Sequence, residues 1–280
     1  LLCINGTKII NCDGAILEGW VIRLKDAAGV ELDSTETDEN GAYSFCGLEP
    51  GSYRVCEDVM AGYTNVTPTC IDVTLVCDSS EDNDFTNEPL LCINGTKLDD
   101  CTGEGLEGWV ITLTRPDGST VTDTTDENGA YSFCGLMPGD YTVTETVEDG
   151  WMNVTPVSIP VTLVCNNVTG QDFTNQELLC VSGYKLDDCT KAGLPGWTIT
   201  LNNSSYTVST MTDSNGFYEF CNLVPGEYTV TETLEDGWTS TGPIELDVTL
   251  PCGGNLTNQN FTNQELLCVS GYKLDDCTKA

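Results

Sequence analysis

Apolar and polar residues alternate with a period of two through most of the sequence. In WVITLT (109–114) Trp109, Ile111 and Leu113 fall on one side and Val110, Thr112 and Thr114 on the other. YTVTET (141–146) sets Tyr141, Val143 and Glu145 against three threonines. Such a period places successive side chains on opposite faces of a strand. Turn signals separate these runs: RPDGS, then DENG, then GLMPGD. The stretch 90–177 reads as seven strands: 90–98, 109–114, 120–125, 130–134, 141–146, 159–165 and 171–175. EDGWMNVTP, between the fifth and sixth, reads as a long loop. Nothing reads as a helix, because β-branched residues dominate and Gly or Pro recurs about every ten residues. Short strands at this spacing predict an all-β sandwich.

The same pattern is written three times. LLCINGTK at Leu1 returns at Leu90 and becomes LLCVSGYK at Leu178 and Leu266. DENGAYSFCGL at Asp38 returns at Asp126 and becomes DSNGFYEFCNL at Asp213. The expected domains are therefore 1–89, 90–177 and 178–265, with 266–280 as the first strand of a fourth repeat. The sequence has no initiator Met, no signal peptide and no apolar run long enough to span a bilayer. It reads as a processed product or a window on a longer array, or else as a chain whose last strand completes a neighbour.

Strand direction follows from counting. If consecutive strands reverse, the first and seventh run the same way, and the chain enters a unit at one end and leaves at the other. Asn175 and Leu178 leave almost no linker, so end-to-end units in a stiff rod are expected.

Each repeat has four cysteines at equivalent places, within a total of 16. In the second they are Cys92, Cys101, Cys134 and Cys165. Cys92 and Cys101 bracket one extended strand, roughly 30 Å apart, whereas bridged Cα atoms lie within about 7 Å. The direction count puts Cys92, Cys134 and Cys165 at one end and Cys101 at the other. It suggests Cys134–Cys165 within the unit, with Cys46–Cys77 and Cys221–Cys252 equivalent. Between units it suggests Cys101–Cys180, with Cys12–Cys92 and Cys189–Cys268 equivalent. Cys3 and Cys277 are left over. The competing scheme joins the first cysteine of a unit to its own third or fourth. Cys56 and Cys70 occur only in the first repeat, where later repeats have Thr144 and Ser158. Both are expected to face outward on adjacent strands and to bridge.

Composition narrows the setting. Many cysteines suit an oxidising compartment. Sequons at Asn5, Asn65, Asn94, Asn153, Asn167, Asn202, Asn203, Asn255 and Asn260 fit a secreted glycoprotein. The net charge of −34 opposes nucleic-acid binding. There is no His, so no Ser–His or Cys–His pair exists, and neither a zinc nor a haem site is suggested. The acidic loops TDENG and DDCTGEG read as turns rather than calcium loops. Trp20, Trp109 and Trp197 read as core or interface packing, and Trp151 and Trp238, with Tyr63 in their place in the first repeat, as packing over the sandwich end. No cofactor is implied.

Of only seven lysines, four recur at one place: Lys8, Lys97, Lys185 and Lys273. The fifth strand ends in Glu57, Glu145 and Glu232. The last strand reads FTN, with Asn87, Asn175 and Asn263. With first and last strands side by side, amine and amide approach in the core, and the glutamate shares the inward parity of Tyr141 and Val143.

GTKLDDCTGEGLEGWVITL, TTDENGAYSFCGLMPGDYTVTETVEDGW and FTN resemble the Cna B-type domains of surface adhesins and pilins, and the related SdrD-like B repeats, over essentially every unit. The resemblance implies prealbumin-like (Ig-like) sandwiches serving as extracellular stalk modules. It also implies a self-made isopeptide between first-strand lysine and last-strand asparagine, assisted by the glutamate. The expected bonds are Lys8–Asn87, Lys97–Asn175 and Lys185–Asn263, while Lys273 has no asparagine in this sequence. Cysteines beside isopeptides depart from the usual adhesin pattern. Burial disfavours the charged amine. A neutral amine is the nucleophile, and a protonated carboxyl can relay protons. The expectation is a structural, non-enzymatic rod of a surface stalk, sheath or filament, whose partners are further repeats or identical subunits. The alternative is an adhesin region that binds a host, matrix or neighbouring-cell ligand.

Overall fold

A computed structural model describes residues 1–273. The first repeat contains β1 (Leu2–Ile10), β2 (Val21–Asp26), β3 (Glu31–Glu36), β4 (Ala42–Leu48), β5 (Gly51–Glu57), β6 (Tyr63–Asn65), β7 (Cys70–Leu75) and β8 (Phe85–Pro89). The second contains β9 (Leu91–Asp99), β10 (Val110–Thr114), β11 (Thr120–Thr124), β12 (Ala130–Leu136), β13 (Gly139–Glu145), β14 (Trp151–Asn153), β15 (Ser158–Leu163) and β16 (Phe173–Glu177). The third contains β17 (Leu179–Asp187), β18 (Thr198–Asn202), β19 (Thr207–Met211), β20 (Phe217–Leu223), β21 (Gly226–Glu232), β22 (Trp238–Ser240), β23 (Glu245–Leu250) and β24 (Phe261–Glu265).

Each repeat forms two four-stranded sheets. In the first they run β4-β1-β8-β6 and β3-β2-β5-β7, and the other repeats follow the same order. β1 and β8 are parallel, with Lys8 opposite Phe85 and Ile10 opposite Asn87. β17 and β24 repeat this with Lys185 opposite Phe261 and Asp187 opposite Asn263. The entering and leaving strands are thus adjacent and point the same way, as the direction count requires.

The alternation buries one row per strand. β9 buries every second residue from Leu91 to Asp99. Ile22, Leu24, Tyr43, Phe45, Val55 and Phe85 fill the first core, and their equivalents fill the other two. Gly6, Gly95 and Gly183 interrupt the buried rows because another backbone crosses there. A Cβ on Gly95 would stand 2.1 Å from the Gln171 carbonyl oxygen.

The described residues divide into two compact units. One comprises Leu1–Leu98, Gly105–Thr146 and Pro156–Phe173, and the other Asp99–Glu104, Val147–Thr155 and the described residues from Thr174 onward. The division cuts the second repeat, because its 99–104 turn and its 147–155 segment, which carries β14, group with the third. Asp100 N–H donates to the Asn175 carbonyl, Leu178 N–H donates to Gly150, and a disulfide adds to both.

Three expectations are corrected. The long loop after the fifth strand holds a short eighth strand in every repeat: β6, β14 and β22 pair with β8, β16 and β24. Three residues are too few for alternation to mark. Leu266–Lys273 form no strand, and the remainder of the expected strand, 274–280, lies outside the described residues. The disulfides largely follow the competing scheme. Cys3–Cys46, Cys92–Cys134 and Cys180–Cys221 join first to third cysteines. Cys3 lies directly opposite Cys46 in the β1–β4 ladder.

The direction count had set three cysteines at one end without saying which sheet each belongs to. The fourth cysteine follows the edge strand of the other sheet. It bridges to the preceding repeat instead, as Cys12–Cys165 and Cys101–Cys252. Cys46–Cys77, Cys134–Cys165, Cys221–Cys252, Cys12–Cys92 and Cys101–Cys180 are therefore absent. Cys77, Cys189 and Cys268 are free and exposed, so Cys189–Cys268 is absent too, and Cys277 lies outside the described residues. Cys56–Cys70 forms, but Cys56 is buried rather than outward-facing.

Candidate functional site: a buried lysine, glutamate and asparagine

The period that buries Ile4 also buries Lys8. The same holds for Phe85 with Asn87 and for Val55 with Glu57. Lys8, Lys97 and Lys185 have no solvent exposure, and neither do Asn87, Asn175 and Asn263. Lys8 Nζ lies 2.7 Å from Glu57 Oε2 and donates a hydrogen bond to Asn87 Oδ1. Lys97 Nζ lies 2.9 Å from Glu145 Oε2, and Lys185 Nζ lies 2.5 Å from Glu232 Oε2. Asn175 and Asn263 are inward on β16 and β24, and neither amide oxygen nor amide nitrogen has a hydrogen-bond partner. Asn87 Nδ2 is also unpartnered.

Burial pushes all three lysine amines below their ordinary range, while the neighbouring glutamate opposes the shift. Desolvation is the larger effect. A buried ion pair beside an unpaired amide costs stability, since each polar group has left water without full replacement. In the first repeat the arrangement brings together a buried amine, a carboxyl that can carry a proton and an amide carbonyl.

Sequence reasoning missed the role of Trp20, Trp109 and Trp197. Their rings lie under the amines, with Nζ 4.4, 4.5 and 4.4 Å from the respective centroids. The signal was present in the Gly-Trp pair opening the second strand of each repeat. Tyr63 and Trp238 stack edge-on against Trp20 and Trp197, as expected of residues closing the sandwich end. Lys273 is exposed and outside any strand.

Asp38, Asp126 and Asp213 each accept two backbone N–H bonds within their own DENG-type loop. These acids close turns. Among the sequons, Asn65, Asn153, Asn167, Asn255 and Asn260 are exposed, while Asn5, Asn94, Asn202 and Asn203 are half-buried. Asn5 Nδ2 is engaged with Glu81 Oε1.

Parallel entering and leaving strands, two four-stranded sheets and a buried Lys–Glu pair define a tandem array of prealbumin-like modules. The chain belongs to the SdrD B-like domain family, which it matches over residues 5–93 and 183–262. Residues 92–177 match the SpaA family, described as a prealbumin-like fold domain. The chain is 30% identical over 307 residues to Serine-aspartate repeat-containing protein D of Staphylococcus aureus, covering 93% of the chain and 23% of that relative. It is 28% identical over 267 residues to Serine-aspartate repeat-containing protein F of Staphylococcus epidermidis, covering 79% and 16%. The chain thus spans less than a quarter of these curated relatives. BcpA, the major pilin subunit of Bacillus cereus, shares the fold at a TM-score of 0.54 and 15% identity, over 94% of this chain and 99% of that one. Membership of this family assigns the segment to a cell surface or surface appendage.

Proposed function

We propose that the chain is a load-bearing segment of a surface stalk or filament, with each complete repeat closed by a Lys–Asn isopeptide bond. The bonds are Lys8–Asn87, Lys97–Asn175 and Lys185–Asn263. The observation that carries this reading is Lys8 Nζ held between Asn87 Oδ1 and Glu57 Oε2 with no solvent exposure. The recurring Lys–Glu pairs and unpartnered asparagine amides in the other repeats support it.

The reaction balances without a cofactor. The neutral amine attacks Cγ of the asparagine. Glu57, Glu145 or Glu232 moves a proton from the attacking nitrogen to the departing one. The Cγ–Nδ2 bond breaks, and ammonia leaves. One fold holds both reactants, and that proximity replaces an encounter between separate molecules. The product also removes the unpartnered Nδ2 from the core and leaves a secondary amide in its place.

The position of the bond explains its use. In the first and third repeats it joins the strand on which the chain enters to the strand on which it leaves. A pull along the chain then crosses each repeat through two covalently tied neighbours, and the intervening strands carry no load. Exposed sequons are candidate glycan sites on such a stalk. Intact mass spectrometry of the reduced, deglycosylated chain tests the proposal. The expected mass is that of the sequence less one ammonia per complete repeat, and an unmodified mass overturns it.

A further inference from the structure

The three repeats differ at one sheet edge. β3, β11 and β19 are equivalent edge strands, each hydrogen-bonded to a neighbour on one side only. β3 carries Glu31, Asp33 and Glu36, and β11 carries Asp123. Asp123 Oδ2 also accepts the N–H of Ser132 on β12, which ties that edge to the other sheet. In the third repeat Tyr206 and Val208 stand where Glu31 and Asp33 do, Thr210 where Asp123 does, and Met211 where Glu36 does. Tyr206, Val208 and Met211 are 42%, 41% and 67% exposed. Charged edge residues guard a sheet against strand addition, and β19 has lost them. The opposite edges of these sheets keep a guard: Asp72 on β7, Pro160 on β15 and Asp247 on β23.

The backbone of β19 is set for pairing. Thr212 N–H donates to the Trp197 carbonyl, and Asn203 N–H donates to the Tyr206 carbonyl. Bonded and unbonded residues alternate along an antiparallel ladder, so the backbone groups of Val208 and Thr210 bond β18. Those of Thr207, Ser209 and Met211 turn to the open side. These three lie symmetrically about Ser209. A second β19 laid antiparallel, with Ser209 opposite Ser209, sets Thr207 opposite Met211 and pairs every outward group on both strands. A slip of one residue would set outward groups against groups already bonded to β18.

Charge selects the occupant. The chain carries a net charge of −34. A cationic partner would be drawn to the acids of β3, whereas an edge cleared of acids suits a partner of the same charge. We propose that β19 is a docking edge for a second copy of this chain, joined β19 to β19 about a two-fold axis by strand addition. The same patch serves both copies, so the contact closes at a dimer. This inference goes beyond the load-bearing reading and does not depend on the isopeptide, which lies in the core.

The test uses the full chain with free thiols capped by iodoacetamide, without reduction, so that only non-covalent association is read. Sedimentation equilibrium over rising protein concentration is paired with amide hydrogen exchange. The expected result is a monomer–dimer equilibrium that tightens as salt screens the like charges. Exchange in 203–212 slows with concentration, and exchange in 31–36 does not. V208D combined with M211E, which copies residues of the first repeat, leaves a monomer. S209P does the same by removing one outward donor, a change that an edge strand tolerates. A monomer at every concentration overturns the proposal, as does a dimer that either variant leaves intact, or protection confined to another segment. Thermal unfolding of each variant confirms that the fold is kept.

Discussion

Lys8 Nζ and Glu57 Oε2 stand 2.7 Å apart with neither side chain exposed, on strands of opposite sheets. An ion pair so placed spans the sandwich rather than decorating it. Its geometry makes Glu57, Glu145 and Glu232 the groups able to move a proton at each amine. Glu145→Ala should therefore abolish the Lys97–Asn175 bond and no other. The intact mass should rise by one ammonia relative to the parent, beyond the substitution itself. Peptide mapping should find the other two cross-links unchanged. If the second-repeat link survives, Glu145 is not its proton carrier.

A lysine that burial pushes downward also ties stability to pH. The relevant protein is the unlinked one, with Asn87, Asn175 and Asn263 replaced by Ala. In its unfolded state each lysine titrates at about 10.4, and in the folded state lower. Between those values the unfolded chain binds more protons, so stability rises with pH. The melting temperature of this variant should climb as pH rises toward about 10.4, where lysine titrates in the unfolded chain. Replacing the three lysines by Met in the same background should remove the rise. A rise of equal size without the lysines would assign it elsewhere.

The strands, the parallel entry and exit and the lysine cluster were legible in the sequence because each is a local pattern copied three times. Lys97 is inward for the same reason as Ile93, four residues earlier on one strand, and no tertiary information is needed to see it. The partner of a cysteine is different. Cys134 and Cys165 share an end of the second repeat, yet Cys134 lies on β12, hydrogen-bonded to β9, and Cys165 follows the edge of the other sheet. Sheet membership is settled by distant pairing, which alternation does not encode. The short strands β6, β14 and β22 escaped for a simpler reason: three residues supply one period and a half.

The glycine on the inward row of β9 has a packing cause that substitution exposes. A methyl group at Gly95 would meet the backbone carbonyl of Gln171, not a side chain able to swing away. Gly95→Ala should cost about 1–3 kcal/mol, the usual range for an overpacked core. Gly118→Ala, where nothing approaches within 4 Å, meets strain from its positive φ of 80° instead. A cleaner control is Ala130→Gly at a half-buried site. Urea unfolding monitored by Trp fluorescence should place Gly95→Ala well below that control.

Cys56 and Cys70 face each other across β5 and β7 and close a separation of 14 residues. Replacing them with the residues of the second repeat, Cys56→Thr and Cys70→Ser, keeps strand-forming side chains and deletes only the bridge. For a loop near this size the unfolded chain gains entropy worth about 3 kcal/mol. The first repeat should lose about that much stability, and the third, whose Thr231 and Glu245 already lack the bridge, should lose none. Proteolysis under graded urea, mapped by mass spectrometry, separates the two repeats. Equal sensitisation of both would mean that the bridge acts beyond its own sandwich.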